Sequence, residues 1–373
     1  MWISAWPPRE KPAGDLDALA ALAATASFAQ STATISGSIS AGVMDTGAAG
    51  DTAQVASLGG GANAINIATT EDLGGGLKAG FSGQIRFSAA TGDRASTGNG
   101  NALFHDANVY VSGGFGTARL GKIAELTNCA FDPWGCTGGA STVAGAAGTI
   151  GASGAGLVGA LAIQNAVSYA TPTIAGFSAT YQTSLSPAAG AQAAASATNA
   201  GQLVGRTNER QVLSLNYANG PLALQVLATK GSGNTAADWP SYRPSSSAHS
   251  LVTITDDASK ATAISGSYDF GVAKLNLINA VTKTAAGAKS FDITTISGSI
   301  PMGAYTILAG YSKDSVKAAN ADTKMSLGVN YALSKRTTLG ADVFKQEGLA
   351  AVAGTGASGT ASTGFVLRAR HTF

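Results

Sequence analysis

The sequence predicts an all-β protein: one antiparallel barrel of about sixteen strands that crosses a membrane. Three observations carry this reading. Side-chain character alternates with a period of two from about Thr32 onward. The alternating segments are joined by very short and long polar links in turn, the arrangement that puts periplasmic turns at one end of an outer-membrane barrel and surface loops at the other. No apolar stretch reaches the roughly 18 to 20 residues of a membrane helix, and "GAGLVGALAI" from Gly154 is far too short. A barrel needs no such stretch, because strands of about 9 to 11 residues suffice.

The first segment, "TATISGSISAGV", sets Ala33, Ile35, Ile39, Ala41 and Val43 against a run of serines. In "LKAGFSGQIRFSAA", Ala79, Phe81, Gly83, Ile85 and Phe87 share one face, while Gly80, Ser82, Gln84, Arg86 and Ser88 share the other. The same split recurs in "QVLSLNYA", "AKLNLINAVTK" and "TLGADVFK", and "GFVLRARHTF" closes the series. Short links are "EDLGGG", "GGFG", "TPTIAG", "ANGP", "DFG", "PMGA" and "LSKR". Long ones are expected to begin near Thr46, Thr91, Ile123, Ser186, Gly231, Thr284, Ser315 and Gln346. A soluble sandwich or propeller would bury large side chains on its apolar faces. Here those positions are often Ala, Gly and Val, which suits a lipid-facing band.

Composition excludes other classes. Charged residues make up 12% of 373 and the formal net charge is +2, too little field to argue for nucleic acid, and no basic run has interleaved aromatics. The 49 glycines follow no collagen period. At the N-terminus, "ALAALAATASFAQS" has a short apolar core ending in Ser27-Phe28-Ala29, a small-x-small pattern that places a signal-peptidase cut before Gln30. Residues 1–29 are therefore expected to be a leader and 30–373 the barrel, although Asp15 and Asp17 stand where a leader favours basic residues. Such a leader implies export.

With the strands in place, "TEDLGGGLKAGF", "SGGFGTARLGK", "NAVSYATPTIAGFSATYQ", "YDFGVAKLN", "YALSKRTTLGAD" and the terminal "RARHTF" fall in order at matching spacing. The chain resembles the betaproteobacterial trimeric family of general porins in Gram-negative bacteria. The resemblance implies a homotrimer in outer-membrane lipid whose third loop folds inward to narrow a water-filled pore for small hydrophilic solutes and ions. It also implies recognition of the terminal Phe373 by the outer-membrane assembly machinery.

For such a channel, function lies in lumen charges that sort solutes. Strand parity puts Arg86, Arg119, Arg368 and Arg370 on the wet face, with Asp342 on the penultimate strand. Lys122, Glu125 and Asp132 belong to the start of the inward loop. The chain departs from the family where Ser38 and Ser40 replace an Arg and an Asp of the first strand, and where Ala64 and Ala68 replace basic residues of the second. Arg119 stands where a small polar residue is common. A weak anion preference is the resulting expectation; a plugged structural or adhesion barrel without channel activity is the alternative, with the Gly/Ala-rich tract from Ala140 to Ala162 as its plug.

Nothing points to catalysis, a metal or a cofactor: the three histidines, His105, His249 and His371, lack acid-base or ligand neighbours at useful spacing. The two cysteines lie in "CAFDPWGC", Cys129 to Cys136, which taken alone could be half a metal site, a redox dithiol or a loop clip. Export favours a disulfide, because the periplasm is oxidising and no third ligand is near. Closing a ring of about eight residues stabilises the bent form by roughly 2 to 3 kcal/mol in the chain-entropy model. The clip is expected to hold Asp132 and Trp134 near the narrowest part of the pore.

Overall fold

The computed structural model describes residues 31–45, 47, 52–58, 63–93, 103–136, 141, 162–185, 210–231, 258–284, 286–316, 323–347 and 362–373. The expected leader, His249 and nearly all of the Gly/Ala-rich tract lie outside these residues.

Alternation gives strands because a pleated chain sends successive side chains to opposite faces. The strands are β1 (Thr32–Asp45), β2 (Gln54–Ser57), β3 (Ala64–Gly74), β4 (Leu77–Arg86), β5 (Asp106–Gly113), β6 (Gly116–Ala124), β7 (Ala162–Ala170), β8 (Phe177–Ser184) and β9 (Arg210–Asn219). They continue as β10 (Leu222–Gly231), β11 (Ala258–Asp269), β12 (Lys274–Thr284), β13 (Lys289–Met302), β14 (Tyr305–Asp314), β15 (Thr323–Ala332), β16 (Thr337–Glu347) and β17 (Ser362–Thr372). Each pairs antiparallel with its neighbours, and β1 pairs with β17, so the sheet closes. Closure runs from Ser38 opposite Thr372 to Asp45 opposite Phe365, and ends in reciprocal backbone bonds of 3.0 Å between Gly37 and Phe373. A closed sheet leaves no edge to be satisfied in lipid.

The barrel has sixteen strand positions, because β2 and β3 share one. β2 pairs with residues 41–44 of β1, and β3 pairs with residues 32–38. Between them the Asn63 side chain bridges the interruption. Its amide oxygen accepts the Ser40 backbone N–H (2.5 Å) and its amide nitrogen donates to the Ser40 carbonyl (3.0 Å). A side chain thus completes what a continuous ladder would supply.

Turn chemistry fixes one end of the barrel. After β3, Gly74, Gly75 and Gly76 all adopt positive φ (80°, 59° and 80°), and the Asp72 carboxylate accepts the Gly74 N–H at 2.9 Å. The link expected to be long after Thr284 is short. Lys283 stands opposite Lys289, and Gly287 at φ 86° makes the bend, so β13 extends beyond the end of β14.

The outer face is an apolar band. Ile35, Val109, Leu215, Ile264, Leu277, Leu327 and Leu367 are all exposed. Toward the short turns it ends in aromatic pairs, Phe177–Tyr217, Tyr268–Phe270 and Tyr305–Tyr331, with ring centroids 4.5 to 4.8 Å apart. Apolar band and aromatic girdle together are the surface of a transmembrane barrel. Among the described residues no helix is long and apolar enough to cross a membrane.

Candidate functional site

The inner face is polar over most of its circumference. Ser36, Ser38, Ser40, Asn66, Gln84, Asn108, Ser168, Ser214, Ser265, Asn276 and Ser297 share it by strand register. Two stretches differ. On β9 to β12 the inward Val212, Leu227, Ala263, Ile278 and Ala280 are fully buried, and on β14 to β17 so are Leu308, Phe344 and Val366.

Both apolar stretches are seats for the segment that follows β6. Its first residues are held by two glutamines on the wall. Gln182 of β8 accepts the Leu126 N–H at 3.2 Å and donates to the Ala124 carbonyl at 3.1 Å, while Gln225 of β10 donates to the Thr127 carbonyl at 3.3 Å. A single 3-10 turn, Cys129–Phe131, then bends the chain across the lumen. Phe131 and Cys136 pack in one cluster with Val212, Leu227, Ala263, Ile278 and Ala280. Trp134 packs in another with Leu308, Phe344, Val366, Met44 and Leu58. Cys129 and Cys136 form the expected disulfide, with Cα atoms 5.3 Å apart. The loop therefore spans from one apolar seat to the other with a covalent staple between them.

Asp132 organises the bend. Its carboxylate accepts the backbone N–H of Cys136 (2.7 Å), the Ser141 hydroxyl (2.6 Å) and, more weakly, the backbone N–H of Trp134 (3.4 Å). Burial pushes its pKa above the ordinary carboxylate value; these hydrogen bonds and the charge of Lys324 on β15 oppose that rise. From the same loop, Trp134 Nε1 donates to Asp342 Oδ1 on β16 at 3.0 Å. Arg368 of β17 closes an ion pair with Asp342 through Nη1, and its Nη2 donates to Asn330 Oδ1 at 2.7 Å. Two inward glycines leave the room for this. A Cβ on Gly328 would lie 2.0 Å from Asp342 Oδ1, and one on Gly340 would lie 2.6 Å from Arg368 Nε.

Asp132, Asp342 and Arg368 are thus brought together around Trp134. Arg86 and Arg119 lie on a different wall. Arg86 Nε donates to Gln84 Oε1 (2.6 Å), and Gln84 in turn donates to Asn66 (2.9 Å). Arg119 donates to Asn108 Oδ1 (3.1 Å) and sits 5.3 Å over the Tyr110 ring. Arg370 stands opposite Ser40 and is exposed. Lys122 stands opposite Ala107, beside a register shift at Gly121, and donates to the Phe104 carbonyl at 2.8 Å. Glu125 is buried at the foot of the loop. His371 faces outward and bonds Thr337 (2.9 Å), and among the described residues no cluster of three or more metal-ligating side chains occurs. Sequence reasoning missed Gln182, Gln225 and Lys324, and it missed the apolar seats. The only signal of the seats was a large apolar residue on the wet parity of strands between β9 and β17.

A closed strand cylinder with an apolar exterior, a polar interior and a stapled loop across its lumen is a membrane channel of the outer-membrane type. The comparisons narrow this. The model of the Gram-negative porin family matches residues 18–348, and the chain belongs to that family. It is 30% identical over 386 residues to outer membrane porin protein 32 of Delftia acidovorans, an alignment covering 96% of this chain and 99% of that one. Among solved structures, the anion-selective porin from Comamonas acidovorans superposes with a TM-score of 0.64 at 23% identity, covering 92% of this chain and all of that one. OmpT of Vibrio cholerae gives 0.58 at 14% identity, covering 92% and 98%. The protein is an outer-membrane porin of a Gram-negative bacterium, and its function is that of a channel.

Proposed function

We propose that the protein works as a homotrimer whose pores pass small hydrophilic solutes by passive diffusion with a weak preference for anions. One observation supports the preference. The inner-face cations Arg86, Arg119, Arg368 and Arg370 are half-buried or exposed, whereas the acids near the loop, Glu125, Asp132 and Asp342, are buried at 3 to 6% exposure. A solute in the lumen meets more positive than negative charge, and fixed charge at a constriction selects by sign. In this reading Asp132, Asp342 and Glu125 shape the constriction and the arginines face the solute. Lys122 contributes through the field at the foot of the loop. The similarity to an anion-selective porin agrees with this sign.

Reversal potentials of purified trimers across a salt gradient test it. An anion-directed shift is expected, and a cation-directed one overturns the preference. A barrel that shows no conductance step in planar bilayers would replace the channel reading with a plugged barrel. For Phe373, whose ring is exposed at the barrel seam, the proposal is recognition by the assembly machinery. Deleting it should leave unassembled chain in the periplasm, and normal assembly would exclude that role.

A further inference from the structure

On the inner wall of β10 to β15, the buried oxygens Gln225 Oε1, Ser265 Oγ, Asn276 Oδ1, Thr295 Oγ1, Ser297 Oγ and Ser326 Oγ have no hydrogen-bond partner among the described residues. Strand register places them in two adjoining rows. Gln225 stands opposite Ser265, Ser265 opposite Ile278, and Ile278 opposite Thr295. One step closer to the short turns, Asn276 stands opposite Ser297, Ser297 opposite Gly310, and Gly310 opposite Ser326. The rows join the two apolar seats. Ile278 packs with Phe131 and Cys136 in the first, and Phe344, directly opposite Ser326, packs with Trp134 in the second. These oxygens therefore lie along the stretch of wall that the stapled segment crosses.

The spacing of the sheet explains why they are orphaned. Directly opposed side chains on neighbouring strands have Cβ atoms about 4.5 to 5.5 Å apart. Short hydroxyls at that spacing stand side by side and do not reach one another. A single oxygen between two of them, with a hydrogen bond of about 2.8 Å to each, spans the gap. A buried polar group left unsatisfied is costly, and buried water is the usual remedy, each molecule making about three hydrogen bonds. The oxygens belong to uncharged side chains spread over strands from β10 to β15, roughly 20 to 25 Å along the wall, so they do not converge on one cation.

We propose that this band binds a row of ordered water molecules, which gives the inward loop a third, hydrated support between its two dry seats. The hydroxyls donate or accept and the two amide oxygens accept, so neighbouring groups can share one water in either orientation. A loop resting partly on water can shift without breaking a direct bond to this part of the wall.

Radiolytic hydroxyl-radical labelling of the full-length protein in detergent, read residue by residue by mass spectrometry, tests this. Radicals form from water at the site, so a buried side chain beside bound water is modified despite its burial. Ile278 and Phe344 should be labelled, while Leu58, similarly buried, should not. The T295V/S297A/S326A variant should lower labelling at Ile278 and Phe344 severalfold and leave exposed Leu327 labelled as in the parent. An unlabelled Ile278 and Phe344 in the parent would mean a dry band and overturns the proposal. Labelling that the triple variant leaves unchanged also overturns it, because the water is then bulk lumen water admitted when the loop lifts. Heat-modifiable electrophoretic mobility verifies that the variant is folded. If it does not fold, Thr295→Val alone, which keeps the side-chain shape and removes one hydroxyl, should lower labelling at Ile278 and leave Phe344 as in the parent. No loss at Ile278 in that variant overturns the proposal too.

Discussion

Trp134 Nε1 and Asp342 Oδ1, 208 residues apart in sequence, are joined by a hydrogen bond of 3.0 Å across the lumen. One belongs to the inward loop and the other to the wall, so this contact and the packing around it set how far the loop reaches. Replacing Trp134 with Phe keeps most of the packing with Leu308, Phe344 and Val366 but removes the donor. A hydrogen bond to a charged group is worth about 1.5 to 3 kcal/mol. Trp134→Phe should raise open-channel noise and subconductance events in single-channel records while barrel melting stays near the parent value.

Gly328 is small because Asp342 fills the space its Cβ would need. Gly328→Ala must displace the carboxylate, and with it the indole. We expect an altered single-channel conductance, with a destabilisation of about 1 to 3 kcal/mol from overpacking. A parent-like conductance would mean that the wall moves instead of the loop.

The disulfide closes a ring within the loop and touches no strand covalently. Cys129→Ser with Cys136→Ser, or reduction of the parent, should loosen the bent form by about 2.5 kcal/mol. Thermal unfolding of the barrel should change little, and flicker in planar bilayers should increase. Identical gating before and after reduction would show that the two apolar seats alone hold the bend.

Asp132 makes the seat pH-dependent. Its folded pKa lies above the ordinary value of 3.8, with burial the largest cause, so the seated loop binds a proton more tightly than the released one does. The seated form therefore gains stability as pH falls through the raised pKa toward 3.8, and loses that gain as pH rises. Gating noise recorded from pH 7 to about pH 4 should decrease. Asp132→Asn, which keeps an acceptor for the Cys136 N–H, should be flat over the same range.

Arg368 is the partner of a buried carboxylate. Arg368→Met strands Asp342 and should cost about 3 to 5 kcal/mol, more than Asp342→Asn. It should also reduce any anion preference, read from the reversal potential.

Strand parity was legible because it depends only on a period of two. Arg86, Arg119, Asp342, Arg368 and Arg370 occupy the inner face that alternation assigns them. The disulfide followed from the compartment. The seats were not legible, because Val212, Leu227 and Ile278 on the wet parity break the pattern that defines the face. Only the loop they receive explains them. Nor could the β2–β3 interruption be read, since it depends on a single asparagine side chain standing in for backbone. The Trp134–Asp342 contact joins segments that no local spacing connects.

The two apolar seats have a consequence for the empty passage. Were the stapled segment to swing clear, Val212, Leu227, Ala263 and Ile278 would be left facing the lumen water. Apolar constrictions dewet, and a dry patch blocks ions even where the passage is geometrically wide. Widening the pore would therefore not simply raise its throughput. The segment acts as a wetting agent for its own channel, covering greasy wall with a surface that water and ions can cross.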